Sequence, residues 1–235
     1  MKVEIWSDIV CPFCYIGKRR FEQALQQFPY ANRVQVVWRS FKLDPGYQPV
    51  PGRSTHESLA HKKGISVAQA KVMADQVSRL ATEVGLQYDF NRAVPANTFL
   101  AHQLIHLAGQ HGRQGAAKEH LMAAYYTKGQ NLNEIDTLVQ LATEIGLDAE
   151  EARTALTNGI YAEAVRHDEH QAHQMNVRGV PFFVFEGKYA VSGAQPTELF
   201  AEVLEKVWEE LQPTEPAPAM VANGPVCGPE GCSVS

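Results

Sequence analysis

Short apolar runs of strand type open the chain, a long block of helical period follows, and strand-type runs return near its end. The first run, Val3-Glu4-Ile5-Trp6-Ser7, predicts a strand, and Gly-Lys-Arg-Arg-Phe-Glu-Gln-Ala-Leu at residues 17–25 predicts a helix. Residues 34–41 are rich in β-branched and aromatic side chains and predict a second strand. Strand, helix and strand in that order make a βαβ unit with a parallel pair. Asp44-Pro45-Gly46 breaks the pattern, and residues 45–55, with Pro45, Pro49, Pro51 and Gly52, read as a loop.

From residue 55 to 175 the period is helical. Ala70, Met73, Val77, Leu80 and Val84 recur at spacings of three and four, up to Gly85. Asn97 can cap a helix carrying Leu100, Leu104 and Leu107, which ends before Gly109. Leu121, Ala124 and Tyr125 mark a helix closed by Gly129, and Leu138, Leu141, Ala142 and Ile145 mark another closed by Gly146. Asp148 with Glu151 resembles a capping box for a short helix that stops at Gly159, and a last helix is predicted over 161–175. Strands then return. Residues 181–186 and 189–192 are predicted to form a β-hairpin around a Gly187-Lys188 turn, and Pro196 opens a final helix carrying Phe200, Leu204 and Val207.

This order predicts an α/β protein: a thioredoxin fold with a large inserted all-helical domain. The expected division is a βαβ half at 1–44, the helical insertion at 45–176, a ββα half at 177–211 and a proline-rich tail at 212–235.

Composition narrows the function. Hydrophobic residues make up 45% of the 235 and charged residues 20%, as in ordinary globular proteins. A formal charge of −5 argues against nucleic acid and anionic membrane as partners. No apolar run approaches a membrane span, and no secretory leader is read at the start, so a cytoplasmic location is expected. Four cysteines are too few for a secreted disulfide framework. In a reducing compartment, paired cysteines point to catalysis or metal binding.

The candidate chemistry is Cys11-Pro12-Phe13-Cys14, at a strand-to-helix turn. Such a pair reads as a redox dithiol. Cys11 at the helix N-terminus meets unpaired N–H groups and the favourable end of the helix dipole, which lower a thiol pKa, and the thiolate is the nucleophile in disulfide exchange. Cys14, one turn on, can resolve a mixed disulfide. Cys11 is therefore expected to be the exposed, acidic thiol and Cys14 the buried one. A zinc half-site and two unrelated core cysteines are the competing readings, and the zinc reading gains from a second pair, Cys227 and Cys232, in the tail. Gly179-Val180-Pro181-Phe182 is a second signature, because a proline there is confined to a sheet edge or a strand start.

Together these motifs resemble the DsbA family of thiol–disulfide oxidoreductases, of the cytoplasmic FrnE type. The resemblance covers residues 1 to about 211 and rests on Ser7 to Cys14, Asn97-Thr98-Phe99-Leu100-Ala101-His102, Gly179 to Phe183, and Ser192-Gly193-Ala194-Gln195-Pro196. It implies Cys11 as attacking thiolate, Cys14 as resolving thiol and Pro181 in cis opposite the dithiol. The backbone of Val180 would then pair with a substrate polypeptide, beside Phe13 and Pro12. It implies disulfide-containing proteins as substrates, reduced or isomerised, with no resident cofactor and with glutathione or a thioredoxin-type protein as reductant. It also implies a second, tail C-x4-C pair. Related 2-hydroxychromene-2-carboxylate isomerases and kappa-class glutathione transferases typically carry serine where this chain has Cys11.

Other residues carry two readings each. Asp8 is either a tuner of Cys11 and proton acceptor for Cys14, or a loop brace. Lys18, Arg19 and Arg20 either add positive potential near the thiolate or form a solvated helix face. The spaced histidines, His102 with His106 and His167 with His170 and His173, read as surface or packing residues, and no metal site is assigned. Cys227 and Cys232 read as a regulatory dithiol, a structural disulfide, a metal-binding pair or a chance pair. For the whole protein, a glutathione-dependent isomerase or transferase and a zinc-binding chaperone-like module compete with the disulfide oxidoreductase. A monomer and a homodimer are both compatible with the sequence.

Overall fold

The computed structural model describes residues 1–212 and the backbone of two short strands at 226–228 and 231–233. Strand β1 (Lys2–Ser7) pairs in parallel with β2 (Gln35–Ser40), linked through helix α1 (Pro12–Gln27). Helices α2 (Thr55–Lys63), α3 (Val67–Glu83), α4 (Phe99–Gln110), α5 (Gln114–Ala123), α6 (Ile135–Glu144), α7 (Ala149–Asn158) and α8 (Ala162–Gln174) follow. The chain then returns to the sheet as β3 (Phe182–Phe185), antiparallel to β1, and β4 (Tyr189–Ser192), before closing with α9 (Thr197–Leu211). Sheet order is β2-β1-β3-β4. This is the thioredoxin fold with its helical insertion.

The side-chain period of two in the strands places the core. Val3, Ile5, Phe183 and Phe185 point to one face and join Phe21 of α1 and Phe200 of α9 in the main core. The Phe21 ring lies 5.6 Å from that of Phe183 and 5.7 Å from that of Phe200, centroid to centroid. Trp6 and Val184 point to the other face, where they meet Ala172 of α8 and Val177. A buried carboxylate ties α8 to the sheet: Asp168 accepts from the Ser40 amide at 2.9 Å and from Arg39 Nη1 at 3.0 Å, and it meets His106 Nε2 at 3.1 Å. His106 thus packs against this carboxylate and the Ser40 hydroxyl rather than lying on the open surface.

Local chemistry refines several expected boundaries. The loop after β2 ends in α2, capped by a Ser54–Glu57 capping box, and Ser66 with Gln69 caps α3 in the same way. The cap of α4 falls at Thr98, one residue later than expected, although the Asn97 side chain still accepts from the Phe99 amide. Asp148 caps α7 by accepting from the Glu151 amide, but the reciprocal half of the box is missing because the Glu151 carboxylate meets His111 instead. The hairpin turn sits one residue early, with Glu186 and Gly187 at φ 49° and 66° and Lys188 N–H donating to Phe185 O. A π-helical turn, Ala124–Lys128, extends α5 and ends on left-handed Gly129.

The linker at 213–225 lies outside the described residues. Beyond it, β5 (Val226–Gly228) and β6 (Gly231–Ser233) pair antiparallel with Cys227 opposite Cys232. Among the described residues no helix is long and apolar enough to cross a membrane.

Candidate active site

The parallel strands end side by side, and the dithiol hangs from the end of β1. Cys11 is the N-cap residue of α1, in extended conformation, and Pro12 takes the first helical position, where a missing N–H costs nothing. The Cys14 amide donates to Cys11 O at 3.0 Å, which closes the turn. Phe13 stands 43% exposed at the surface while the sulfurs lie beneath it, Cys11 at 4% and Cys14 at 1% exposure. Both cysteines are free thiols.

The second signature arrives from the far end of the chain. Val180–Pro181 is a cis peptide, and Cys11 Sγ donates to Val180 O at 3.5 Å. The Gly193 amide donates to Pro181 O at 2.8 Å. Gly17 makes the approach possible: a Cβ at that position would lie 2.9 Å from Pro181 Cγ.

The expected exposed, acidic Cys11 is corrected. The hydrogen bond with Cys14 pushes the Cys11 thiol well above its ordinary range, burial pushes it further, and the negative charges of Cys14 and Asp8 add to the effect. Among the larger influences, the Cys14 amide works the other way. The helix terminus is present as predicted, but it is covered.

Asp8 is fully buried. It accepts from the Ile9 and Leu43 amides, both at 2.8 Å, and faces His102 Nε2 at 3.3 Å. Burial works to raise its pKa, but the hydrogen bond and charge of His102, the Leu43 amide and Thr98 together hold it below the usual Asp value. Asp8 is therefore an anion at neutral pH and a poor proton acceptor, which favours the bracing reading. His102 is held below its usual value by burial, against the pull of Asp8. It is a neutral ring that donates Nε2–H to the carboxylate.

The helical insertion supplies residues that sequence reasoning missed. Tyr88 OH donates to Pro12 O at 2.8 Å, and its ring stacks on Tyr126 at 4.3 Å and Tyr15 at 6.1 Å, forming an aromatic wall along the start of α1. Burial raises the Tyr88 phenol far above its ordinary range, so it stays a donor. Lys118 of α5 is 1% exposed. Its Nζ donates to Ser7 O at 3.2 Å and lies 5.7 Å from the Trp38 ring centroid. Burial pushes Lys118 down to about 8, while the charges of Cys14, Asp8 and Cys11 pull it back up. One signal was available, since Lys118 sits one helical turn before Leu121 and Met122, on the apolar face of its helix.

Neither reading of the basic run holds. Lys18 and Arg19 are engaged by Glu119 and Glu22, and Arg20 donates to Ala194 O at 2.6 Å. The charges of Lys18 and Arg19 are engaged in ion pairs, and Arg20 is held by a backbone carbonyl. The structure thus brings together Asp8, Cys11, Cys14, Val180 and Pro181, with Pro12 and Phe13 on the rim. The side chains of Cys227 and Cys232 lie outside the described residues.

A buried dithiol at a helix start, facing a cis-proline on a thioredoxin sheet, is the arrangement of the thioredoxin-like proteins. Residues 2–205 match the family model described as the DSBA-like thioredoxin domain, and the chain belongs to that family. It is 41% identical to a probable DsbA oxidoreductase from Streptomyces coelicolor, whose crystal structure superimposes with a TM-score of 0.84 over 100% of this chain and 99% of that one. It is 26% identical over 204 residues to the uncharacterised protein YwbO of Bacillus subtilis, covering 86% of this chain and 94% of that protein. The cytosolic disulfide reductase DsbM from Pseudomonas aeruginosa shares the fold at 16% identity and a TM-score of 0.62, covering 89% of this chain and 100% of that one. Disulfide oxidoreductase chemistry in general comes with this family.

Proposed function

We propose that the chain reduces or isomerises disulfides in other proteins, with Cys11 as the attacking and Cys14 as the resolving thiol. The observation that carries this reading is the contact of Cys11 Sγ with Val180 O at 3.5 Å, beside Pro181. It sets the less buried cysteine against the backbone just ahead of β3, at the end of the sheet. A substrate segment lying extended along Val180 gains main-chain hydrogen bonds and presents its disulfide to Cys11. Phe13 and Pro12 form the apolar rim on which that segment rests.

The exchange is balanced without a resident cofactor. The Cys11 thiolate attacks one substrate sulfur, the substrate S–S bond breaks, and the departing substrate sulfur takes a proton. Cys14, ionised in its turn, attacks Cys11 Sγ and releases the second substrate thiol. Two electrons have moved from the dithiol to the substrate, leaving a Cys11–Cys14 disulfide. A thioredoxin-type protein or glutathione restores the dithiol by the reverse chemistry. In isomerisation the mixed disulfide is resolved by another substrate thiol, with no net electron transfer. The cytoplasm is the compartment we assign, on the sparse cysteine usage.

The tail pair belongs to the same reading. Residues directly opposite in an antiparallel pair have Cα atoms about 4.5–5.5 Å apart, within the span of a disulfide. Cys227 and Cys232 are such a pair. We assign them a disulfide that exchanges with Cys11–Cys14 and sets its redox poise.

Insulin reduction and scrambled-ribonuclease refolding, run on the wild type, Cys11→Ser and Cys227→Ser, test both parts. Cys11→Ser is expected to abolish both activities, and Cys227→Ser to change rate or potential only. Full insulin reduction by Cys11→Ser refutes the dithiol role, and a Cys227→Ser protein matching wild type in rate and potential refutes the tail role.

A further inference from the structure

Lys118 is a buried ammonium group with one hydrogen-bond acceptor, Ser7 O at 3.2 Å. No carboxylate among the described residues lies within ion-pair distance of it, whereas its neighbour Lys18 meets both Glu22 and Glu119. Asp8, the nearby buried anion, is occupied by His102 and by the Ile9 and Leu43 amides. A buried cation without its own counter-charge is costly and calls for a reason.

We propose that Lys118 is the tuning charge of the dithiol: its ammonium group, reaching from the inserted helices to the end of β1, stabilises the thiolate formed at Cys11–Cys14. This rests on the dithiol reading above. Charge counting supports it. With the dithiol oxidised, the buried end of the sheet holds the anion Asp8, engaged by His102 and two amides, and the cation Lys118, held by Ser7 O alone. Ionisation of a thiol adds a second negative charge there, and Lys118 is the cation left to meet it. Both sulfurs and Asp8 act on Lys118 in the stabilising sense, and Lys18 acts against it. The other titratable groups that face the pair do not supply positive charge. His102 is neutral, and Tyr88 and Tyr126 are phenols whose ionisation burial suppresses. The charge therefore comes from a residue about a hundred positions away on the helical insertion, which would explain why the covered helix terminus can still support a nucleophile.

The test follows thiolate formation by absorbance at 240 nm and by iodoacetamide alkylation across pH, in the wild type, Lys118→Met, Asp8→Asn and Lys18→Met. A nearby opposite charge shifts a pKa by about 1–3 units. Lys118→Met is expected to raise the first ionisation of the dithiol by about one unit, to slow alkylation about tenfold near neutral pH and to leave the high-pH alkylation limit unchanged. Asp8→Asn is expected to move the ionisation the other way, and Lys18→Met to leave it in place. An ionisation within about 0.3 units of wild type in Lys118→Met, or a loss confined to the high-pH limit, overturns the proposal.

If Lys118→Met does not fold, the wild type decides. Coupling between two sites is reciprocal, so the Lys118 side-chain carbon signal must titrate at higher pH in the reduced protein than in the oxidised one. Equal titration in the two states overturns the proposal. Neither measurement uses a protein substrate, so a protein that fails to reduce insulin but shows this coupling refutes the function and not the role of Lys118.

Discussion

Gly17 offers the sharpest test of how the site is held. Alanine inside a helix is worth about 1 kcal/mol over glycine, so propensity alone predicts that Gly17→Ala stabilises α1. The structure predicts the reverse. The new Cβ would sit 2.9 Å from Pro181 Cγ and 3.4 Å from the Cα and Cβ of Ala194. These neighbours are a proline ring and a backbone carbon, which cannot swing aside as a long side chain can. Overpacking of this kind costs about 1–3 kcal/mol, so the two effects leave a net loss of roughly 0–2 kcal/mol. Relief requires α1 to move off the proline, and Cys11, at the head of that helix, moves with it away from Val180 O. Exchange rate should therefore fall further than stability does. Urea unfolding followed by circular dichroism measures the first effect and insulin reduction the second. Gly115→Ala is the control: this exposed glycine has only Trp38 Nε1 at 3.9 Å near its missing Cβ, and stability should hold or rise by up to about 1 kcal/mol. A Gly17→Ala protein as stable and as active as wild type would refute the reasoning.

Asp168→Ala strands the buried Ser40 amide and takes one partner from Arg39, which keeps Glu4, and one from His106, which keeps the Ser40 hydroxyl, and should cost about 1–3 kcal/mol in urea unfolding. Despite burial, which acts to raise it, the Asp168 pKa is held below its ordinary 3.8 by His106, the Ser40 amide and Arg39. Its folded pKa is thus lower than its unfolded one, and the stability it contributes is present above pH 3.8 and lost as pH falls through the folded value; acid titration of the variant should lack that part of the loss. Tyr88→Phe removes the donor to Pro12 O and should cost about 1 kcal/mol in thermal or urea unfolding, with the stacked ring retained. Limited alkylation with peptide mapping should label Cys11 ahead of Cys14, because Cys11 is the less covered sulfur.

Much of the architecture was legible from local pattern. The βαβ opening, the helical block and the closing hairpin with its helix follow from side-chain period and glycine stops, and both active-site signatures are short runs of contiguous residues. Boundaries slipped by a residue where side chains compete for the same backbone groups, as at Asn97 and Thr98 or at Glu186 and Gly187. The roles of charged residues were harder to read. Lys18 and Arg19 look like an exposed face until Glu119, on a helix a hundred residues away, closes on them.

The sequence by itself determined the fold, the dithiol at the head of α1 and the proline signature, because each depends on neighbours within a turn or two of chain. Tertiary structure decided the environment of the sulfurs. The covering of Cys11, the fixed charge of Asp8 and the arrival of Lys118 and Tyr88 all depend on which distant helices and loops pack against the end of β1. A pKa responds to burial and to charges within a few ångströms, whatever their separation along the chain.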